Sequence, residues 1–123
     1  MAEVLIVDDN AAFRNMLRRI LLSRFPSIRV REAQDGIRAI KKLEKQAPDI
    51  IFMDVRLPGE NGLSLTKRIK AAYPEIFIII ITSYDSPEYR EAALQSGADS
   101  FVSKTASNAA EILERVETII SSE

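Results

Sequence analysis

Three uninterrupted apolar runs, Val4-Leu5-Ile6-Val7, Ile50-Ile51-Phe52-Met53 and Ile76-Phe77-Ile78-Ile79-Ile80-Ile81, constrain the fold of this chain more than any other feature. A strand with one face in water alternates apolar and polar residues, so runs without a polar break read as strands covered on both faces. The segments between them have helical period. Phe13, Met16, Leu17, Ile20 and Leu21 recur at helical spacing with Arg14, Arg18 and Arg19 opposite, and Pro26 closes that segment. A second helix is predicted from Gly36 to Gln46, with Ile37, Ile40 and Leu43 inward and Pro48 as its stop. A third begins at an Asn61 cap and carries Leu65, Ile69 and Ala72 as far as Pro74. A fourth, Pro87 to Ser96, offers Tyr89, Ala92 and Ala93 and ends at Gly97. A fifth opens at Asn108 and presents Ile112, Leu113, Val116, Ile119 and Ile120. Two more strands complete the alternation: Ile28-Arg29-Val30-Arg31, whose in-out pattern suits a sheet edge, and Ser100-Phe101-Val102-Ser103.

Strict alternation of apolar strands and helices implies a parallel sheet with helices on both faces, and right-handed crossovers leave few topologies for five strands. The order 2-1-3-4-5 fits best: an α/β, flavodoxin-like (βα)5 doubly wound sheet. It puts the Arg-rich strand at one edge and strands one and three side by side at the centre. The crevice then lies at the carboxyl ends of strands one and three, where the winding reverses. With 123 residues, a single domain spanning 1–123 is expected.

That edge receives Asp8 and Asp9 from strand one, Asp54 from strand three, Thr82 from strand four and Lys104 from strand five. Pro58-Gly59 turns the chain sharply just beyond Asp54. Singly, each residue has an ordinary explanation: Asp9-Asn10 as a helix cap, Thr82 and Ser83 as turn residues, Lys104 as a solvated lysine. Those explanations do not account for their arrival at one edge. Three carboxylates this close repel by roughly 4 kcal/mol per pair at 4 Å and an effective dielectric near 20, so more positive charge than one lysine is expected. A Mg²⁺ ion on carboxylates, a backbone carbonyl and waters is the economical remedy, and an open metal position beside a cation and a hydroxyl describes a phosphoryl site.

The composition narrows the chemistry. There is no Cys and no His, which excludes disulfides, thiolate or imidazole metal ligands and a histidine base. A net charge of -1 gives no reason to expect nucleic acid as a direct partner. No leader pattern opens the chain and its longest apolar run is too short to span a bilayer, so a cytoplasmic chain without a membrane role is expected.

With the acid pair Asp8-Asp9, the Asp54-x-x-x-Pro58-Gly59 turn followed by Asn61-Gly62, then Thr82 and Lys104 in order, the sequence resembles the receiver domains of two-component response regulators over essentially all of its length. The resemblance implies that Asp54 accepts a phosphoryl group from a phosphohistidine on a sensor histidine kinase or phosphotransfer protein. It implies Mg²⁺ on Asp8, Asp9, Asp54 and the carbonyl of Val55, with Thr82 and Lys104 addressing phosphoryl oxygens. Phe101 stands at the family's rotating aromatic, so the face of helix four, strand five and helix five would change and control an output domain, a protein partner or a homodimer. Such a chain is a signalling domain that promotes its own phosphorylation and dephosphorylation, not a turnover enzyme. Arg56 and Tyr84 would flank the phosphoryl group and tune its lifetime.

The family usually carries proline after the lysine, in a cis peptide, where this chain has Thr105; the Lys104–Thr105 bond is therefore either strained or trans. Ser83 stands where a smaller residue is common. An aspartate-nucleophile phosphatase would need a second aspartate in Asp54-Val55-Arg56, which is absent. A docking or dimerisation module working without phosphorylation is the remaining alternative. Flavin binding is disfavoured because Asp8-Asp9 replaces a hydroxyl- and glycine-rich phosphate loop. The chain stops after its fifth helix, so no output domain is expected within it.

Overall fold

The computed structural model describes residues 2–121. Its main sheet comprises β1 (Glu3–Val7), β2 (Arg29–Ala33), β3 (Ile50–Met53), β4 (Phe77–Thr82) and β5 (Ser100–Ser103), all parallel, in the spatial order β2-β1-β3-β4-β5. The connecting helices are α1 (Ala11–Arg24), α2 (Gly36–Lys45), α3 (Gly62–Ala72), α4 (Pro87–Gln95) and α5 (Ala109–Ser121). This is the predicted flavodoxin-like arrangement, with the Arg-bearing strand at the edge.

Continuous apolar strands serve both faces because the pleat sends successive side chains to opposite sides. Leu5, Val7, Ile51, Met53, Ile78 and Ile80 pack with Leu43, Leu65, Ile69 and Ala93 of α2, α3 and α4. Val4, Ile6, Ile50, Phe52, Ile79 and Ile81 pack with Leu17 and Leu21 of α1 and Ile112 and Val116 of α5. Truncating one of these fully buried side chains, Phe52 or Leu17 for example, costs about 2 to 5 kcal/mol.

Helix starts share one edge of the sheet. Asn10, Asp35, Asn61 and Ser86 cap α1, α2, α3 and α4, each side chain accepting a backbone N–H of the first turn, and Asn108 accepts the N–H of Glu111 in the same manner. Each cap follows a strand that ends close before it, so chain reversals and polar groups gather at the carboxyl edge. Gly97, with φ of +98°, turns the chain out of α4 as expected.

Several expectations change. The periodicity of α2 pointed Ile37 inward, but it is 70% exposed; Gly36, Ala39 and Leu43 form the buried stripe, and Ile37 lies about 100° round the helix from Gly36. Met16 of α1 and Ala72 of α3 are likewise exposed, while Thr66 is buried in α3. β2 runs from Arg29 to Ala33 rather than from Ile28 to Arg31, because pairing Glu3 with Arg29 through Val7 with Ala33 sets its ends. A two-residue ladder not foreseen from sequence, Arg56–Leu57 against Glu60–Asn61, folds back over Pro58-Gly59, with Gly59 at φ +72° as that turn requires.

Candidate functional site

Asp54 is the first residue beyond β3, and its N–H donates to the Val7 carbonyl at 3.0 Å, so the β1–β3 pairing extends to it. Its carboxylate sits at the mouth of the core, with the residue 7% exposed. Oδ1 accepts the N–H of Val55 at 2.7 Å, which fixes the side chain against its own turn. The turn is held by the N–H of Gly62 on the Val55 carbonyl at 2.6 Å.

Asp8 and Asp9 follow β1. Asp8 is 1% exposed; its Oδ1 accepts the Asn10 N–H at 2.9 Å, and its own N–H reaches the Ala33 carbonyl at 3.0 Å. Asp9 is exposed. One carboxylate oxygen from each of Asp8, Asp9 and Asp54 lies within 4.8 Å of the others. At that separation two unit charges repel by about 3.5 kcal/mol at an effective dielectric near 20.

Lys104, one residue past β5, enters this group. Its Nζ donates to Asp8 Oδ2 at 2.7 Å and to Asp54 Oδ2 at 3.1 Å, and lies 4.1 Å from the centroid of the Phe13 ring. Burial pushes the Asp8 carboxyl above its usual 3.8, against the Lys104 and Asn10 hydrogen bonds that favour the charged form. Burial also works against the Lys104 ammonium, but the hydrogen bond to Asp8 and the charges of Asp8 and Asp54 outweigh it and hold the lysine above 10.5. One ammonium therefore faces three carboxylates. Hard oxygen donors converging with a deficit of positive charge fit a small divalent cation such as Mg²⁺. For the backbone ligand, the Val55 carbonyl has one lone pair engaged by Gly62 N–H, whereas the register of the small ladder makes Arg56 and Asn61 a non-hydrogen-bonded pair and leaves the Arg56 carbonyl out of the ladder.

Thr82 ends β4, fully buried, and its Oγ1 accepts the Tyr84 N–H at 3.2 Å while its carbonyl accepts the Lys104 N–H at 2.9 Å. Arg56 and Tyr84 come together, the guanidinium 4.4 Å from the ring centroid. Phe101 is 5% exposed in the core under α4, with the Arg90 guanidinium 4.7 Å from its ring centroid. No cis peptide occurs among the described residues, so Lys104–Thr105 is trans.

Four further residues shape the site without having been singled out from sequence. Phe13, read as a core residue of α1, also floors Lys104. Arg14 donates Nη1 to the Asp8 carbonyl at 2.6 Å and Nε to Glu32 Oε1 at 2.9 Å, pinning the acid loop to β2. Asp85 accepts the Ser103 hydroxyl at 2.6 Å, which holds its carboxyl below the usual 3.8. The cap motif at Asn10 is the sequence signal that places Phe13 and Arg14 on the first turn over the acid loop; the pairing of Asp85 with Ser103 spans 18 positions and has no local signal.

The family model described as response regulator receiver domain matches residues 4–117. Among curated proteins, oxygen regulatory protein NreC of Staphylococcus carnosus is 35% identical over 105 residues, 85% of this chain and 48% of that protein. Transcriptional regulatory protein DegU of Brevibacillus brevis is 30% identical over 102 residues, 83% of this chain and 43% of that protein. The chain thus spans less than half the length of these relatives. Among solved structures, the BeF3-activated DrrB receiver domain matches with a TM-score of 0.88 at 25% identity, covering 98% of both chains. No helix among the described residues is long and apolar enough to cross a membrane.

Proposed function

We propose, from the premise that this chain belongs to the response regulator receiver domains, that Asp54 accepts a phosphoryl group from a phosphohistidine on a sensor kinase or phosphotransfer protein. A carboxylate is already a nucleophile, so no base is needed. A new bond forms between an Asp54 carboxylate oxygen and phosphorus, the phosphorus–nitrogen bond breaks, and the imidazole leaves with the electron pair. Lys104 lies against Asp54 and offers its charge to an incoming phosphoryl oxygen, and the Thr82 hydroxyl, which accepts the Tyr84 N–H through a lone pair, keeps its own proton to donate to another. Asp8, Asp9, Asp54 and a carbonyl of the following turn would hold Mg²⁺, which would supply the remaining positive charge that phosphoryl transfer requires. For that carbonyl, Val55 offers one lone pair and Arg56 is free of the ladder.

The observation that carries the reading is the geometry of Lys104, whose ammonium bridges Asp8 and Asp54 from the far strand of the sheet. Thr82 and Phe101 are assigned to the switch: movement of Thr82 toward a phosphoryl group opens space beside Phe101, and the face of α4, β5 and α5 changes for an output domain or partner. Arg56 and Tyr84 are assigned to phosphoryl lifetime. The expected setting is the cytoplasm. Incubation with Mg²⁺ and acetyl phosphate followed by intact mass tests the reading. Wild type is expected to gain one phosphoryl group and Asp54→Asn none; no gain by wild type would favour the docking or dimerisation module.

A further inference from the structure

Beside the acid pocket, and unused by the chemistry proposed for it, a second polar cluster joins the two loops that deliver Thr82 and Lys104. Ser103 is buried at the end of β5. Its hydroxyl donates to Asp85 Oδ2 at 2.6 Å and accepts the N–H groups of Ala106 at 3.0 Å and Thr105 at 3.3 Å. The Thr105 hydroxyl lies 3.2 Å from the Ser103 hydroxyl and donates to the same Asp85 oxygen at 3.3 Å. Asp85 is three residues past Thr82, and Ser103 and Thr105 are the two neighbours of Lys104.

These contacts form one constraint. The Lys104 N–H is tied to the Thr82 carbonyl at 2.9 Å, and residues on both sides of Lys104 are tied to Asp85. Residues 103, 104 and 105 are thus each tied to the end of β4 and the loop after it, Lys104 through its N–H and its two neighbours through their hydroxyls. A lysine side chain has up to about 2 kcal/mol of rotamer entropy to lose, so an ammonium aimed between two carboxylates depends on the place from which its stem departs. Hydroxyl bonds to an ionised carboxylate are the stronger kind, roughly twice as strong as neutral ones. With Thr105 in place of the usual proline, side-chain bonds hold this loop.

We propose that Asp85, through the Ser103 and Thr105 hydroxyls, is a positioning residue that keeps Lys104 aimed at the phosphoryl site and couples its loop to the one carrying Thr82. The inference rests on the reading of Lys104 as the lysine that meets the phosphoryl group. Asp85 is not among the three carboxylates that converge on the candidate cation site and binds the Ser103 and Thr105 hydroxyls instead, so its loss acts on phosphoryl transfer and leaves cation binding intact.

The test measures two quantities in the full chain: the rate constant for phosphoryl uptake from acetyl phosphate with Mg²⁺, and Mg²⁺ affinity by titration calorimetry. Asp85→Ala and Ser103→Ala are each expected to slow uptake about tenfold with the Mg²⁺ Kd within twofold of wild type. Asp85→Asn, which retains an oxygen to accept both hydroxyls, should recover most of the rate. In a Lys104→Ala background, Asp85→Ala should slow uptake no further. Equal uptake by wild type and Asp85→Ala, or an equal slowing with and without Lys104, would overturn the inference while leaving Asp54 as phosphoacceptor. Absence of uptake by wild type would overturn both. Because Ser103 is buried and its variant loses stability more readily, the substitutions at half-buried Asp85 carry the decision.

Discussion

A methyl group at Gly62 should cost the protein both stability and chemistry. A Cβ built there overlaps the carbonyl oxygen of Asp54, comes within 2.9 Å of the Asp54 carbonyl carbon and within 3.1 Å of Val55 Cα. Every obstructing atom is backbone of the segment that carries Asp54, so no rotamer change relieves the overlap. Comfortable carbon contacts lie near 3.5 to 4.0 Å, so the Asp54–Val55 backbone or the start of α3 must shift on the order of 1 Å. Overpacking of this kind costs about 1 to 3 kcal/mol, and a clash that is all backbone belongs at the upper end. Against it, alanine for glycine in a helix regains up to about 1 kcal/mol. The net is a loss of about 2 kcal/mol.

For a chain of this size that loss lowers the melting temperature by roughly 6 to 10 °C. The displaced carboxylate adds a second effect, since a misplacement of about 1 Å can cost on the order of 10²-fold in rate. The assay pairs thermal unfolding with the rate of uptake from acetyl phosphate. Gly59→Ala is the control: it sits at φ +72° with nothing within 4 Å of its Cβ, so it should lose about 1 kcal/mol from the left-handed backbone alone and keep its uptake rate. Gly62→Ala melting at or above wild type, with uptake unchanged, would refute the reasoning.

Other consequences concern charge. Asp8→Asn keeps an acceptor oxygen but removes a charge that burial disfavours; because the folded pKa of Asp8 is raised, ionising it costs stability above that pKa, and the cost disappears as pH falls below the unfolded value of 3.8. The variant should therefore exceed wild type in urea midpoint at pH 7.5 in EDTA, with the gap closing on acidification; a gap that widens would contradict the assignment. Added Mg²⁺ at 100 times its Kd should stabilise wild type by about 2.7 kcal/mol and reverse that order, since Asp8→Asn loses the ligand. Asp35 works in the opposite sense: the Arg38 backbone N–H and side chain lower its pKa, so the stability it adds is present above 3.8 and lost as pH falls through the lower folded value. The deficit of Asp35→Asn at pH 7 should accordingly shrink in acid urea titrations. Replacing Arg56 and Tyr84 together by alanine removes the guanidinium–ring pair and should speed dephosphorylation severalfold, as followed by decay of the phosphorylated mass; an unchanged lifetime would remove both residues from that role.

Much of the fold was legible because its determinants are local. Val4–Val7 and Ile50–Met53 have no exposed member, so each run shows both covered faces of a central strand directly. The Arg-bearing strand lies at the edge, where a wet face permits alternation. What periodicity misplaced was the direction of single side chains. Ile37 and Met16 satisfy a helical count, but the stripes that meet the sheet run through Gly36, Ala39 and Leu43 in α2 and through Leu17 and Leu21 in α1. A count of apolar spacing favours large residues, whereas at Gly36 the Glu60 and Leu65 side chains already fill the space a Cβ would take.

The carboxylates were legible for the same reason: an acid that directly follows a buried apolar run can only stand where that strand leaves the core. For Lys104 the sequence displays only a local departure, Thr105 in the place of a proline. That peptide bond is trans, and other contacts place the lysine. Its N–H is taken by Thr82, the preceding serine is bonded to Asp85, and its ammonium rests on Phe13 between two acids. These partners come from β4, the loop after it, α1, β1 and the end of β3, so no window of sequence contains the information. An isomer preference at one bond is a local property that a sequence displays, whereas a lysine held from several elements is a property of the assembled sheet edge. The two leave unrelated traces in the chain, and so the contacts of Asp85 with Ser103 and of Phe13 with Lys104 exist only in the folded sheet edge.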